Sequence, residues 1–236
     1  MEYVILIIIG VCIGVIIKKL KDKNNRKDYV EQFSSDTSDT SNKYSEQNVN
    51  RKSNTDTIIQ SCKEIARLSV QFIGPVYEVI DEEFVIDKKI IKLDLHLVAL
   101  FWARLNCTLG CKDENIARAI TRAIITHFAF EAEKFGVNQE TFIDVADNRL
   151  PVFDEIYIKS TNEKNFIETM LTELGILIAY DIVNEGYESF SLSSPMPILG
   201  LEKQALIDMS VAEFIKNYAA AINKHIFTIR KMYNLD

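Results

Sequence analysis

An uncharged apolar run near the start of the chain constrains the fold more than any other feature. Residues 3–17 carry no charge, and Lys18 and Lys19 follow them at once. Because this run is apolar on every face, it does not suit an amphipathic helix on a soluble core. A bilayer-spanning helix needs about twenty apolar residues, and Leu20 extends the apolar face past lysines whose stems snorkel. We therefore predict a single transmembrane helix at residues 1–20.

Two other interpretations of this run fit less well. A secretory signal places positive charge before its apolar core, whereas only Met1 and Glu2 precede this one. A lipid-modified cysteine of a bacterial lipoprotein follows a small residue, and Val11 precedes Cys12. A membrane anchor explains the order of apolar and basic residues better than either.

The distribution of charge predicts the orientation of the anchor. The net charge is −7, but residues 1–27 carry +4 and the remainder therefore carries −11. The basic residues follow the span and none precedes it, so the positive-inside rule places the C-terminal domain in the cytoplasm and the N-terminus outside. An acidic body argues against nucleic-acid binding, which needs clustered Lys and Arg. The basic collar suits an anionic membrane surface, so we expect residues 3–20 to contact lipid.

Two glycines inside the predicted span form a G-x-x-x-G pair. Gly10 and Gly14 lie on one face of a helix and allow two backbones to approach closely. This spacing predicts self-association of the anchor. Glycine is also common in membrane spans in general, and that interpretation stays open.

A polar segment separates the anchor from the rest of the chain. Residues 28–56 are rich in Ser, Thr, Asn and Asp, and residues 36–41 repeat Asp-Thr-Ser. Such a composition buries too little apolar surface to offset the entropy of ordering. We predict a basic collar and disordered tether over residues 21–56.

From Thr57 onward the apolar residues recur at helical spacing. We predict an all-α cytoplasmic domain over residues 57–236, a compact bundle of about six helices. Gly74-Pro75 is expected to stop or sharply bend the first helix, and Pro151 to interrupt a later one or start a further turn. Residues 83–97 are ambiguous because apolar and polar residues alternate there, so a small β-hairpin near 84–91 is the alternative to a helix.

Several residues are predicted to mark helix ends. Asp113 and Asn138 are expected to cap helices at their N-termini, and Gly136 to close one. Thr161 or Asn162 is expected to open the long helix that follows. Residues 210–213, Ser-Val-Ala-Glu, match a capping box and predict the start of the last helix.

The sequence contains few patterns that indicate catalysis. It has no P-loop, no Gly-x-Ser-x-Gly elbow, no dinucleotide-binding glycine pattern and no His-Glu-x-x-His. Three cysteines lie in the body, and Cys107 and Cys111 are four apart, but a zinc site needs two further ligands. We expect no cofactor and no metal, with the cysteines as small, mostly buried residues in a reducing compartment.

One short stretch carries a functional resemblance. Arg122-Ala-Ile-Ile-Thr-His127 resembles the Arg-x₄₋₆-His motif of HEPN-type ribonucleases, which are all-helical. That resemblance implies that Arg122 holds the scissile phosphate and His127 acts as general acid and base, usually across a dimer interface. The family's usual polar residue after the arginine is Ala123 here. The alternative is a structural histidine hydrogen-bonded to a neighbour such as Glu131.

A Pro-flanked apolar loop is the second candidate site. Met196, Ile198 and Leu199 lie between or close to Pro195 and Pro197, and such a loop suits either a protrusion that binds a partner or a lid on the bundle.

The layout of anchor, tether and helical body leads to two hypotheses. The first is a membrane-anchored helical interaction or adaptor protein that binds a protein partner or a second copy. The second is a membrane-tethered HEPN-like ribonuclease or toxin-type effector.

Overall fold

Six α-helices and one 3₁₀ turn make up the part of the chain that the structure describes. The structure, a computed structural model, describes residues 43–83, 88–183 and 201–235. The elements in chain order are α1 (Lys43–Glu83), α2 (Lys88–Thr108), α3 (Glu114–Ala132), the 3₁₀ turn (Glu133–Phe135), α4 (Gln139–Ser160), α5 (Phe166–Val183) and α6 (Leu201–Met232). This confirms the predicted all-α bundle, and the described ranges contain no strand.

The alternative of a β-hairpin near 84–91 is wrong for residues 88–91, which belong to α2. Residues 84–87 lie outside the described ranges. The alternation arises because α2 is the central helix, with every residue from Leu93 to Leu100 buried. A helix that is buried on all sides needs no polar face, so its apolar residues do not show the amphipathic period.

The other five helices surround α2. Helices α3, α4, α5 and α6 each pack against it, and consecutive outer helices α3–α4, α4–α5 and α5–α6 also pack against one another. Helix α1 joins α2 through a contact between Ser69 and His96, and joins α6 because the Tyr218 hydroxyl donates to the Ile65 carbonyl.

Helix α1 continues through Gly74-Pro75 and α4 continues through Pro151, so the expectation that either proline ends a helix is wrong. The alternative for Gly74-Pro75, a sharp bend within the helix, stays a prediction. A proline removes one backbone hydrogen bond and crowds the carbonyl four residues earlier. Both prolines are exposed, and so are Gln71 and Asp147, whose carbonyls lose their partners. Carbonyls on an exposed side of a helix are open to water, which explains why these helices tolerate proline on their outer faces.

The predicted caps of α3 and α4 are confirmed. Asp113 Oδ1 accepts from the backbone N–H of Asn115 at 2.8 Å and of Ile116 at 3.3 Å. Asn138 Oδ1 accepts from the N–H of Thr141 at 2.8 Å. Gly136 closes the 3₁₀ turn with a φ of 76°, a left-handed conformation that favours glycine.

Two predicted helix starts are wrong. The last helix begins at Leu201, so the capping box at 210–213 lies inside α6 and Ser210 is buried. Helix α5 begins at Phe166, a few residues after Thr161 and Asn162, which lie in a turn. A Ser-x-x-Glu pattern recurs by chance inside amphipathic helices, where the buried serine serves packing and does not cap an end.

The N-terminal features fall largely outside the described ranges. Helix α1 begins at Lys43, so the predicted boundary between tether and body at Thr57 lies within a helix. The predicted anchor at 1–20, with Gly10 and Gly14, is outside those ranges, as is the loop with Met196, Ile198 and Leu199. No helix among the described residues is both long and apolar enough to cross a bilayer.

Candidate functional site

The structure places Arg122 and His127 on the same helix, α3, but on different sides of it. Five residues at about 100° each separate their directions by roughly 140°. The Arg122 side chain is exposed, whereas His127 is half-buried towards α1, where Lys63 acts on it. Within one chain the two side chains therefore do not converge on a common substrate position, and their catalytic roles remain a prediction.

His127 sits in surroundings that favour its neutral form. Partial burial and the charge of Lys63 lower its pKa, while Glu131 acts in the opposite direction. The hydrogen bond to Glu131 that the sequence suggested is not formed, because the Glu131 carboxylate pairs with Lys134. His127 is thus a neutral imidazole near the junction of α1 and α3.

The cysteines lie apart from any metal-ligand group. Cys62 and Cys107 are buried, and Cys111 is half-buried with its thiol donating to the Asp113 carbonyl at 3.3 Å. Burial raises the pKa of Cys62 to about 12, so its thiol stays protonated. The described ranges contain no group of three or more His, Cys, Asp or Glu side chains placed to hold a metal ion.

A cluster of ionisable side chains lies inside the bundle, and no local sequence pattern predicts it. Asp94 of α2, Arg149 of α4 and Asp181 of α5 are all at least 95% buried, and we call them the carboxyl cluster. Arg149 forms an ion pair with Asp181. Asp94 faces both Asp181 and Arg149, and Oδ2 of each aspartate is buried without a hydrogen-bond partner. Two carboxyls thus share the positive charge of one guanidinium.

The electrostatics of the carboxyl cluster favour one neutral carboxyl. Burial and the charge of Asp181 raise the pKa of Asp94 well above its usual range, against the effect of Arg149. Burial raises the pKa of Asp181 to about 7, again opposed by Arg149. Asp181 has the direct ion pair with the guanidinium, so the neutral carboxyl is that of Asp94.

A second buried polar group lies two residues along α2, on its opposite side. His96 Nε2 lies 2.9 Å from the Phe128 carbonyl of α3, and Nδ1 lies 2.7 Å from Ser69 Oγ of α1. The ring packs among Phe128, Phe135 and Phe142, with centroid separations of 4.7, 5.4 and 5.3 Å. Burial lowers the pKa of His96 to about 4.

The hydrogen-bond partners fix the tautomer of His96. A carbonyl only accepts, so Nε2 carries the hydrogen and donates it to Phe128. Nδ1 of the neutral ring is then an acceptor, and the Ser69 hydroxyl donates to it. Ser69 Oγ also lies 2.7 Å from the Ala66 carbonyl. The hydroxyl donates its hydrogen bond to that carbonyl only if the ring becomes charged and Nδ1 no longer accepts. The imidazole thereby joins α1, α2 and α3.

The carboxyl cluster and His96 connect helices through buried polar contacts. Asp94 links the central helix to α4 and α5, and His96 links it to α1 and α3. At the C-terminus of α2, Arg230 of α6 donates to the carbonyls of Asn106 at 3.1 Å and Leu109 at 2.8 Å. Helices α1, α3 and α6 therefore each have a hydrogen bond to α2 or its C-terminal turn, and α4 has an ion pair between Asp154 and Arg104 of α2.

The sequence offered one signal that points to these groups. Asp94 and His96 interrupt an otherwise apolar stretch, and a buried polar side chain needs a partner. Their partners lie on other helices, so no local pattern identifies them. Comparisons with protein families, with curated proteins and with solved structures find no match to this chain.

Proposed function

We propose that the chain is a membrane-anchored helical interaction protein. Residues 1–20 anchor it, and the helical domain acts in the cytoplasm by binding a protein partner, without catalysing a reaction. The buried polar groups support this proposal because they are used to join helices. The proposal depends mainly on one observation, the row of side chains on the outer side of α6.

This row, which we call the α6 stripe, contains two large apolar side chains, one near each end. Met209 is 71% exposed and Phe227 is 58% exposed. They are eighteen residues apart, which is five helical turns, so they point in the same direction about 27 Å apart. Exposed apolar side chains on one helix face are typical of a surface that packs against another helix. The exposed positions of the stripe are Ala205, Met209, Glu213, Lys216, Ala220, Asn223 and Phe227.

Site-specific photo-crosslinking in membranes tests the proposal. A photoreactive amino acid replaces Met209 or Phe227 in the full chain, and Ile158 of α4, which is 62% exposed, is the matched control. We expect a discrete crosslinked protein species from both α6 positions and not from position 158. Recovery of the uncrosslinked monomer alone from all three positions would contradict the proposal.

A further inference from the structure

The α6 stripe is self-complementary, and this property identifies a partner. We infer that the stripe packs antiparallel against the α6 stripe of a second copy of this chain, about a two-fold axis at the level of Tyr218. This inference rests on the proposed function, because it names the partner of the same surface.

Two-fold symmetry matches the apolar ends of the stripe. In a two-fold interface, if residue i of one copy meets residue j of the other, then j also meets i. Tyr218 lies midway between Met209 and Phe227 in the sequence, so an axis at its level places Met209 of one copy opposite Phe227 of the other. The contact between Met209 and Phe227 therefore forms twice in one dimer.

The same operation brings opposite charges together. It places Glu213 level with position 223 of the second copy. Lys224 projects there on the same side of the helix as Glu213, since their directions differ by only about 20°. The axis forms this Glu213–Lys224 contact twice. Both side chains are exposed, and neither takes part in an ion pair within the described part of the chain.

A second pair repeats the pattern towards the ends of the helix. Glu202 and Lys231 are exposed and lie on the same side of α6 as Glu213. In the antiparallel arrangement they come within one helical turn of each other across the two copies. A parallel arrangement would instead place equal residues side by side, which sets Glu213 near Glu213 and Lys224 near Lys224. The charges therefore select the antiparallel orientation.

The centre of the stripe permits close approach of the two helices. Ala220 is small and exposed near the axis. Lys216 flanks the axis, where two copies of its ammonium group repel each other, and its flexible stem allows both groups to turn to water. One helix face per copy gives a small interface, so we expect a weak dimer that forms where anchoring raises the local concentration.

Crosslinking of a mixture of isotope-labelled and unlabelled full chain in lipid vesicles detects the contact directly. A carbodiimide joins a carboxylate to an amine only when the two touch. We expect a Glu213–Lys224 peptide that contains one labelled and one unlabelled partner. If every such peptide comes from a single chain, or if none forms, the inferred dimer is wrong.

A charge swap supplies the decisive comparison. We expect Glu213→Lys and Lys224→Glu each to weaken dimerisation about tenfold, because each reversal turns two attractive contacts into repulsive ones. The double variant Glu213→Lys/Lys224→Glu should recover the wild-type dimer. Glu155→Lys on α4 makes the same change of charge at another exposed site and should have no effect.

The outcomes of these experiments separate the dimer from the wider proposal. Equal association of all four α6 charge states would overturn the antiparallel dimer. In that case, a crosslinked species of different mass from positions 209 and 227 would still support an interaction protein with another partner. Loss of dimerisation in the double variant equal to that in the single variants would also overturn the inference.

Discussion

At the level of single residues, the carboxyl of Asp94 makes the stability of the fold decrease as pH rises. Its pKa in the folded state lies well above the 3.8 of an unperturbed aspartate, so the folded chain binds a proton that the unfolded chain has released. Stability from this group is therefore fully present below about pH 4 and is lost as pH rises towards the folded-state pKa. The linkage relation gives at most about 1.4 kcal/mol per pH unit for one proton.

Replacing Asp94 with Asn tests this protonation state. The amide does not titrate, and like the protonated acid it is neutral and can donate a hydrogen bond. We expect the stability of Asp94→Asn relative to wild type to increase between about pH 5 and pH 8, measured by chemical denaturation of the full chain in detergent. A protonated-carboxyl infrared band at neutral pH should disappear in the variant. A constant loss of stability at every pH would instead show that Asp94 is ionised and paired with Arg149.

His96 makes the opposite prediction, for acid. Its pKa falls from 6.5 to about 4 on folding, so the unfolded chain binds the extra proton. Stability from the neutral ring is present above pH 6.5 and is lost as pH falls towards 4, by about 3 kcal/mol in total. We expect the stability of His96→Gln to fall less between pH 6.5 and pH 4 than that of wild type. This difference in slope is expected even if the substitution lowers stability at pH 7. His225→Gln, at a half-buried position, is the control, and an unchanged acid slope in His96→Gln would contradict the prediction.

At the level of elements, the contact between α5 and α6 depends on Gly175. A Cβ added there would overlap Asp208 Oδ1 and lie 3.1 Å from Asp208 Cγ and 3.4 Å from its Cα. We expect Gly175→Ala to destabilise the bundle by about 1 kcal/mol, measured by denaturant unfolding, because the Asp208 carboxyl must turn away and lose its hydrogen bond from Gln204. Asp208→Ala should recover most of that loss in the double variant.

Gly74 in α1 provides the matched control for Gly175. Nothing lies within 4 Å of a Cβ at position 74, and the residue is inside a helix. Alanine has a helix propensity about 1 kcal/mol better than glycine, so Gly74→Ala should leave stability unchanged or increase it. Equal destabilisation by both substitutions would mean that Gly175 is not needed for the α5–α6 approach.

The helices themselves were largely predictable from the sequence, whereas which helices pack against one another was not. Helical periodicity and the side chains of Asp113 and Asn138 located α3 and α4, because those signals are local. Periodicity does not reveal how many helices surround a given one, so α2 looked partly like a strand. Proline signals failed because the effect of Pro75 depends on whether its side of the helix is exposed, which is a tertiary property.

For the candidate sites too, residues close in sequence were predictable and contacts between distant residues were not. The Arg122–His127 motif was readable because its two residues are close in sequence, yet the helix turns them apart. The carboxyl cluster was hidden because Arg149 and Asp181 are 32 residues apart in sequence and belong to separate helices. A polar residue in an apolar run signals that a partner exists, while only the packing of helices identifies it.

At the level of the whole molecule, the proposed anchor makes a prediction about topology. The positive-inside rule depends on basic residues that flank a span and not on the domain that follows. Wild-type chain in intact cells should therefore resist added protease over residues 57–236, and a chain without residues 1–20 should leave the membrane fraction. A variant with all six basic residues that follow the span (Lys18, Lys19, Lys21, Lys23, Arg26 and Lys27) replaced by Gln and three lysines inserted before residue 3 should invert. Its helical domain should then be digested from outside, since the charge bias is reversed while the apolar run is unchanged. Digestion of the wild-type domain in intact cells would contradict the cytoplasmic placement, and with it the reducing compartment expected for the buried thiols of Cys62 and Cys107.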